Sequence, residues 1–328
     1  MSIGRNQNSA PSTSAPRIRF LSGPQVRALL RYDDLVTAMD LAMREVSTGG
    51  CLLPLRQVLA IPDTSTRFGT MLGYLNDPAC FGVKVVALRS GRGHSGACSH
   101  TGLVLLFDAR AGRPVAILDA GELTRIRTAV VSVLATRTLA RGESRTLAIL
   151  GTGEQASEHL AAMIQLLPWD TVVVWGRDLG KADAMMKQCE VPARISAHCV
   201  ASVEEAVRQA DVICTATSAA DPILKGCWIR PGTHLCLVGS SVATDREVDD
   251  DCVRRSRFFV DYRRSAFEQA GELLHAIRCQ TVTADHVAAE LGEVLNGTKA
   301  GRRSPDEITV YKSLGLAAQD LAAATLIL

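Results

Sequence analysis

Arg145-Thr-Leu-Ala-Ile-Leu-Gly-Thr-Gly-Glu-Gln-Ala156 is the stretch that decides the fold. It reads as a buried strand, a glycine turn and the start of a helix that runs to Leu167 and is stopped by Pro168. Thr171 to Trp175 follows as a second strand, which makes one β-α-β unit. In that context Gly151-Thr-Gly153-Glu-Gln-Ala156 fits G-x-G-x-x-A. Gly151 permits the tight turn, Gly153 lets backbone amides approach a pyrophosphate, and Ala156 keeps helix and strand close. Thr152, Glu154 and Gln155 complete a loop that offers phosphate the positive end of a helix dipole. A dinucleotide is the expected cofactor.

The second strand ends Val174-Trp-Gly-Arg177. Enzymes that prefer NAD place an acid there for the ribose hydroxyls, whereas this chain has Gly176, with Arg177 beside it to pair with a 2′-phosphate. NADP(H) is therefore favoured over NAD(H). The alternative leaves Arg177 as a surface residue, with Asp178 reaching back as the ribose acid. Outward from this unit the alternation continues with helices from Leu179 to about Cys189 and from Ser202, where Glu205 can complete a capping box. Strands follow at Asp211–Thr215, His234–Val238 and Arg257–Val260, so residues 138–308 are assigned to a doubly wound Rossmann domain.

Before it the grammar differs. Gln25 to Val46 carries Leu29, Leu30, Leu35, Met39 and Met43 at helical spacing, and short strand-like runs occupy Arg56–Ile61, Gly82–Leu88, Leu103–Asp108 and Pro114–Leu118. The last two flank a polar stretch containing Gly112 and read as a hairpin. Strands that follow one another without crossover helices predict an α+β half with a largely antiparallel sheet. Tyr311 to Ile327 is expected as a last apolar helix that packs back on this half. The α/β chain thus becomes a Rossmann domain inserted in a substrate-binding and dimerisation domain of residues 18–137 plus 309–328, with residues 1–17 a Ser/Pro/Asn-rich disordered tail.

Composition narrows the function. Aromatics are only 4% and the net charge is +2 without a run of one sign, which argues against nucleic acid or another polyanion as partner. No segment reaches the length of apolar sequence a membrane span requires. The ten cysteines show no C-x-x-C pair and accompany no secretion signal, so they read as reduced core thiols of a cytoplasmic protein, and no metal is expected.

Three cations interrupt apolar or small-residue stretches: Arg56 in LPLRQV, Lys84 in FGVKVV and Arg127 in LTRIRTAVVS. Each one alone reads as a salt-bridged or snorkelling side chain. Together, in the half that faces a nucleotide domain, they suggest a small anionic substrate, a carboxylate that arginine can grip with two hydrogen bonds. His100, Asp108 and Glu154 are read as structural, and Met71, Leu72 and Tyr74 as either pocket wall or core.

The strings GELTRIRTAVVSVLATRTLAR, LAILGTGEQA, ADVICTATSAADPIL and ITVYKSLGLAAQDLAAA, in that order, resemble the ornithine cyclodeaminase and mu-crystallin family over about residues 18–328. The resemblance implies a homodimer formed through the non-Rossmann domain. It also implies that Arg56 and Arg127 hold a substrate carboxylate while Lys84 contacts the reacting nitrogen or oxygen. Thr215, Thr217, Gly239 and Ser241, at the ends of later strands, are the further positions expected at the cofactor. Cyclodeaminases carry a segment like G-D-x-P-G-K-x-E-L, and here Gly239-Ser-Ser-Val-Ala-Thr-Asp-Arg-Glu247 puts Ser241 in place of the aspartate and Asp245 in place of the lysine. A neutral hydroxyl cannot act as that base, which tilts the expectation to NADPH-dependent reduction of a cyclic or open imine carboxylate, of pyrroline-2-carboxylate or piperideine-2-carboxylate type. The alternatives are a cyclodeaminase, an alanine-type dehydrogenase or an amino-acid-condensing synthase on the same scaffold, and a non-catalytic NADPH-binding protein.

Overall fold

A computed structural model describes residues 18–64, 66–89 and 100–328; the tail reading for residues 1–17 lies outside it, as does the side chain of His100. The first half begins with β1 (Arg19–Leu21), α1 (Gly23–Leu29) and α2 (Tyr32–Thr48). It continues with β2 (Gln57–Ala60), β3 (Thr66–Leu75), β4 (Cys80–Arg89), β5 (His100–Asp108), β6 (Arg113–Asp119) and α3 (Ala120–Leu139). The six strands form one sheet in the order β1-β6-β5-β4-β3-β2, antiparallel except where β1 joins β6. The hairpin of β5 and β6 is as expected.

Two helical readings need correction. The single helix expected over Gln25–Val46 is broken at Leu30 and Arg31. Arg27 and the Tyr32 hydroxyl both reach Glu158, and side chains five residues apart on one continuous helix would point about 140° apart. Helix α3 was not anticipated, because nearly all of its residues are buried and it shows no polar face whose period could betray it. Arg127 sits on this helix.

The second half runs β7 (Thr146–Leu150), α4 (Glu154–Leu166), β8 (Thr171–Trp175), α5 (Leu179–Gln188), β9 (Ser196–Val200), α6 (Val203–Val207), β10 (Val212–Thr215) and β11 (His234–Leu237). It ends with α7 (Asp250–Arg255), β12 (Ser256–Val260), α8 (Arg263–Gln269), α9 (Gly271–Arg278), β13 (Val287–Glu290), α10 (Leu291–Leu295), β14 (Ile308–Lys312) and α11 (Ala317–Leu326). Eight strands pair in parallel in the order β13-β12-β14-β11-β10-β7-β8-β9. Strand order reverses at β7, which places the switch-point crevice between β7 and β10. The Ser202 hydroxyl caps α6 by accepting from the Glu205 amide.

The helix expected from Tyr311 to Ile327 is also corrected. Ile308–Lys312 is a fully buried strand lying between β11 and β12, so the parallel sheet extends past residue 308, and the helix is confined to Ala317–Leu326. A short apolar run with β-branched and aromatic residues has the same hydrophobic signature in either structure. Helix α11 then packs on β3, β4 and β5 of the first sheet and against α2 and α3. The described cysteines are free thiols, and most are buried or half-buried, but Cys227 and Cys279 are exposed and so are not core residues.

Candidate active site

Lys84 sits mid-strand in β4, opposite Met71 of β3 and Val104 of β5, on the sheet face covered by α11. It is 4% exposed. Its Nζ lies 2.6 Å from Asp320 Oδ2 and 3.4 Å from Thr124 Oγ1. The other oxygen of Asp320, Oδ1, accepts from Arg127 Nε at 2.9 Å, while Arg127 Nη1 donates to Gln319 Oε1 at 2.7 Å. One carboxylate from α11 thus joins a strand lysine to a helix arginine 43 positions away in sequence (127 − 84). Among the described residues Arg127 Nη2 has no recorded acceptor.

Arg56, just before β2, donates through Nη2 to the carbonyls of Leu314 and Gly315 in the turn that joins β14 to α11. The amides of the same two residues donate to Asp261 Oδ2, each at 2.7 Å. Gly315 has φ +80°, which favours glycine, and a Cβ there would lie 2.9 Å from Arg127 Nη2 and push that guanidinium aside. Arg56 also borders a small pocket walled by Leu53, Met71, Leu72 and Leu316. Tyr74 bonds Asn76 instead.

Electrostatics follow from this crowding. Burial pulls the Lys84 ammonium down, Asp320 offsets part of the shift and Arg127 adds to it, leaving a pKa of about 8. Burial alone would raise the Asp320 carboxyl, but Arg127 and Lys84 outweigh it and hold it below the usual carboxylate range. Arg56 is lowered by burial. Asp261 is raised by burial, against the two amides that favour its charged form. Three cations against two carboxylates leave a positive excess where an anion can be received.

At the crevice, Gly151 has φ +130°, and a Cβ there would stand 2.5 Å from the Ala216 carbonyl beyond β10. Only glycine suits that position. Gly153 is the N-cap residue of α4, Glu154 and Gln155 form its first turn, and Thr152 packs beneath Gly176. A side chain at position 176 would meet the Thr152 methyl, which would have to turn aside to admit an acid there. Arg177 is exposed beside it, and the Asp178 carboxylate caps α5 by accepting from the Lys181 amide at 3.1 Å. These residues fit a dinucleotide whose pyrophosphate lies on the start of α4.

Three of the other expected cofactor positions have protein partners. Glu247 Oε2 accepts from Thr215 Oγ1 at 2.6 Å and from the Gly239 amide at 2.7 Å. Its Oε1 accepts from the amide and hydroxyl of Thr217, both at 2.8 Å. Glu247 gathers the ends of β10 and β11 and is raised by burial. Ser241 is half-buried in the loop that follows β11. Sequence reasoning missed both Glu247 and Asp320. The signal for Asp320 was a single acid in the apolar run LAAQDLAAA, the mirror image of the cations that were noticed.

Residues 19–328 match the family described as ornithine cyclodeaminase/mu-crystallin. The mouse ketimine reductase mu-crystallin is 34% identical over 312 residues, covering 94% of this chain and 96% of the relative. Among solved structures, Delta(1)-pyrroline-2-carboxylate reductase of Thermococcus litoralis, in complex with NADH and L-proline, superposes with a TM-score of 0.90 at 30% identity, covering 94% of this chain and 96% of that one. An archaeal alanine dehydrogenase dimer with bound NAD gives 0.88 at 29% identity, with 94% of each chain covered.

Proposed function

The chain belongs to the ornithine cyclodeaminase/mu-crystallin family, and from that premise we propose that it reduces the C=N bond of an imine carboxylate, of pyrroline-2-carboxylate or piperideine-2-carboxylate type, with NADPH. The observation that carries this reading is the buried group of Arg56, Lys84 and Arg127 around Asp320. Arg127 and Arg56 hold the substrate carboxylate and fix which face of the C=N bond is presented. A dinucleotide held on the start of α4 would supply the hydride for the imine carbon. As the π electrons move to nitrogen, Lys84 donates a hydrogen bond or its proton there; at a pKa of about 8 the ammonium is largely charged at neutral pH yet releases its proton readily. The apolar wall of Leu53 and Met71 suits an uncharged ring or chain beyond the carboxylate.

Gly176 and Arg177 support NADPH over NADH: the first supplies no acid for the ribose hydroxyls, and the second offers a guanidinium to the 2′-phosphate. In this reading the first half and α11 bind substrate, and residues beyond Arg137 up to the β14 strand bind cofactor. The partner is a second copy of the chain. Strand alternation places Phe68, Leu72, Phe81, Leu103 and Phe107 on the sheet face opposite Lys84, with Phe81 stacked on Phe107 at 5.0 Å and the first four exposed. An apolar sheet face of this breadth is the usual mark of an isologous dimer. Among the described residues no helix is long and apolar enough to cross a membrane.

The test is the loss of NADPH absorbance with a panel of cyclic ketimines and of 2-oxo acids with amines, run in parallel with NADH. Turnover with a ketimine, faster with NADPH, supports the reading. No oxidation with any of them, together with ammonia release from ornithine or another diamino acid, overturns it in favour of cyclodeamination. Light scattering on the purified protein reports the dimer, and Phe81→Asp should shift it to monomer.

A further inference from the structure

Outside this site, Asp250 meets a histidine and a cysteine from a later helix on the surface of the parallel-sheet half. Asp250 opens α7, His275 lies in the last turn of α9, and Cys279 follows one turn later. His275 Nδ1 is 2.8 Å and 3.0 Å from the two Asp250 oxygens, and Cys279 Sγ is 3.7 Å from the same nitrogen. One ligand atom from each residue lies within 4.8 Å of the others. Two ligands four residues apart share one face of a helix, the spacing that serves metal binding in other helices. Around a tetrahedral zinc ion, nitrogen, oxygen and sulfur donors stand about 3.3–3.6 Å from one another, so the group needs only a small opening between His275 and Asp250 and a closure of Cys279.

We propose that Asp250, His275 and Cys279 form a site for a divalent d-block cation, zinc being the best match. One neutral imidazole, one carboxylate and one thiolate balance the dication, water completes the tetrahedron, and the proton between His275 and Asp250 and the Cys279 thiol proton are both released to solvent. Arg246, 3.5 Å from Asp250 Oδ1, steadies the carboxylate from behind. The ion ties α7 to α9. Asp250 is three residues past Glu247, which gathers the ends of β10 and β11, and His275 is three past Glu272, which pairs with the buried Lys312 at 3.0 Å. Metal binding therefore stiffens the two segments that support the cofactor loops.

The reduced full-length protein is titrated with Co²⁺ and then with Zn²⁺. One equivalent of cobalt should give thiolate-to-metal charge-transfer absorption in the near ultraviolet and the intense visible bands of four-coordination, and zinc should displace both. C279S should lose the near-ultraviolet band, and H275A should weaken binding ~10-fold or more, by the scale seen for ligand-shell changes. Both changes lie at or near the surface, so their unfolding temperatures without metal should match wild type, while zinc raises that temperature in wild type alone. Absence of a thiolate band overturns the proposal. So does a band of undiminished intensity in C279S, which would put the ion on another thiol such as the exposed Cys227.

Discussion

The two halves of this molecule keep their chemistry in different places. In the parallel-sheet half the phosphate cradle is one continuous turn, Gly151 to Gln155, between a strand and a helix. In the antiparallel half the proposed catalytic group is assembled from β4, α3, α11 and the approach to β2, and its centre, Asp320, lies 193 positions from Arg127 (320 − 127) and 236 from Lys84 (320 − 84). A turn can bind a ligand with backbone amides alone. A buried cation must be stabilised by something else, and the partner can come from anywhere in the chain.

The sharpest way to break this contrast is at Lys84. Lys84→Met keeps the shape and removes the charge, and kcat for imine reduction should fall by ~10³-fold, the range for loss of a proton donor in the transition state. Undiminished kcat would mean that the antiparallel half only holds substrate.

Asp320→Asn comes next. It leaves Lys84 and Arg127 buried without their shared counter-charge, and removal of one partner from such a group costs about 3–5 kcal/mol, readable as a lower urea midpoint. The same variant should move the pH profile. In the proposed mechanism the protonated Lys84 is the active form, and with its pKa at about 8 kcat/KM should be flat below that pH and fall about tenfold per unit above it. Asp320 supports the charged form of Lys84, so without it the falling limb moves to lower pH. A limb that stays in place would separate Lys84 from the titration.

The smallest expected effect belongs to the other half. Arg177 is exposed, and its pairing with a 2′-phosphate is screened by solvent, so Arg177→Ala should raise KM for NADPH ~10-fold and leave KM for NADH unchanged. Equal changes for both would return the discrimination to Gly176 and Thr152.

What was legible follows the same division. The strands and helices around Gly151, the β5–β6 hairpin and the cap at Ser202 could be read because each is decided by neighbours in sequence. Arg56, Lys84 and Arg127 stood out because a charge in an apolar run has no local explanation. Helix α3 was invisible because it is buried all round, and β14 because all five of its residues, Ile308 to Lys312, are buried, so it shows no alternation of faces. Glu247 lay hidden for a different reason: Thr215, Thr217 and Gly239 were read towards the cofactor, and nothing in sequence says that a carboxylate many residues later takes their donors.

Strand β14 limits how this chain can be taken apart. It runs through the interior of the parallel sheet, between β11 and β12, and after the four residues Ser313 to Leu316 begins the helix that carries Asp320. The cofactor half is therefore no portable cassette. A fragment cut before Ile308 would leave a gap in the sheet, and a graft onto another substrate domain would have to bring α11 and its aspartate along. Redesign of either half is constrained by the same twenty-odd residues, Ile308 to Leu328, and libraries that vary substrate and cofactor preference independently should leave that segment untouched.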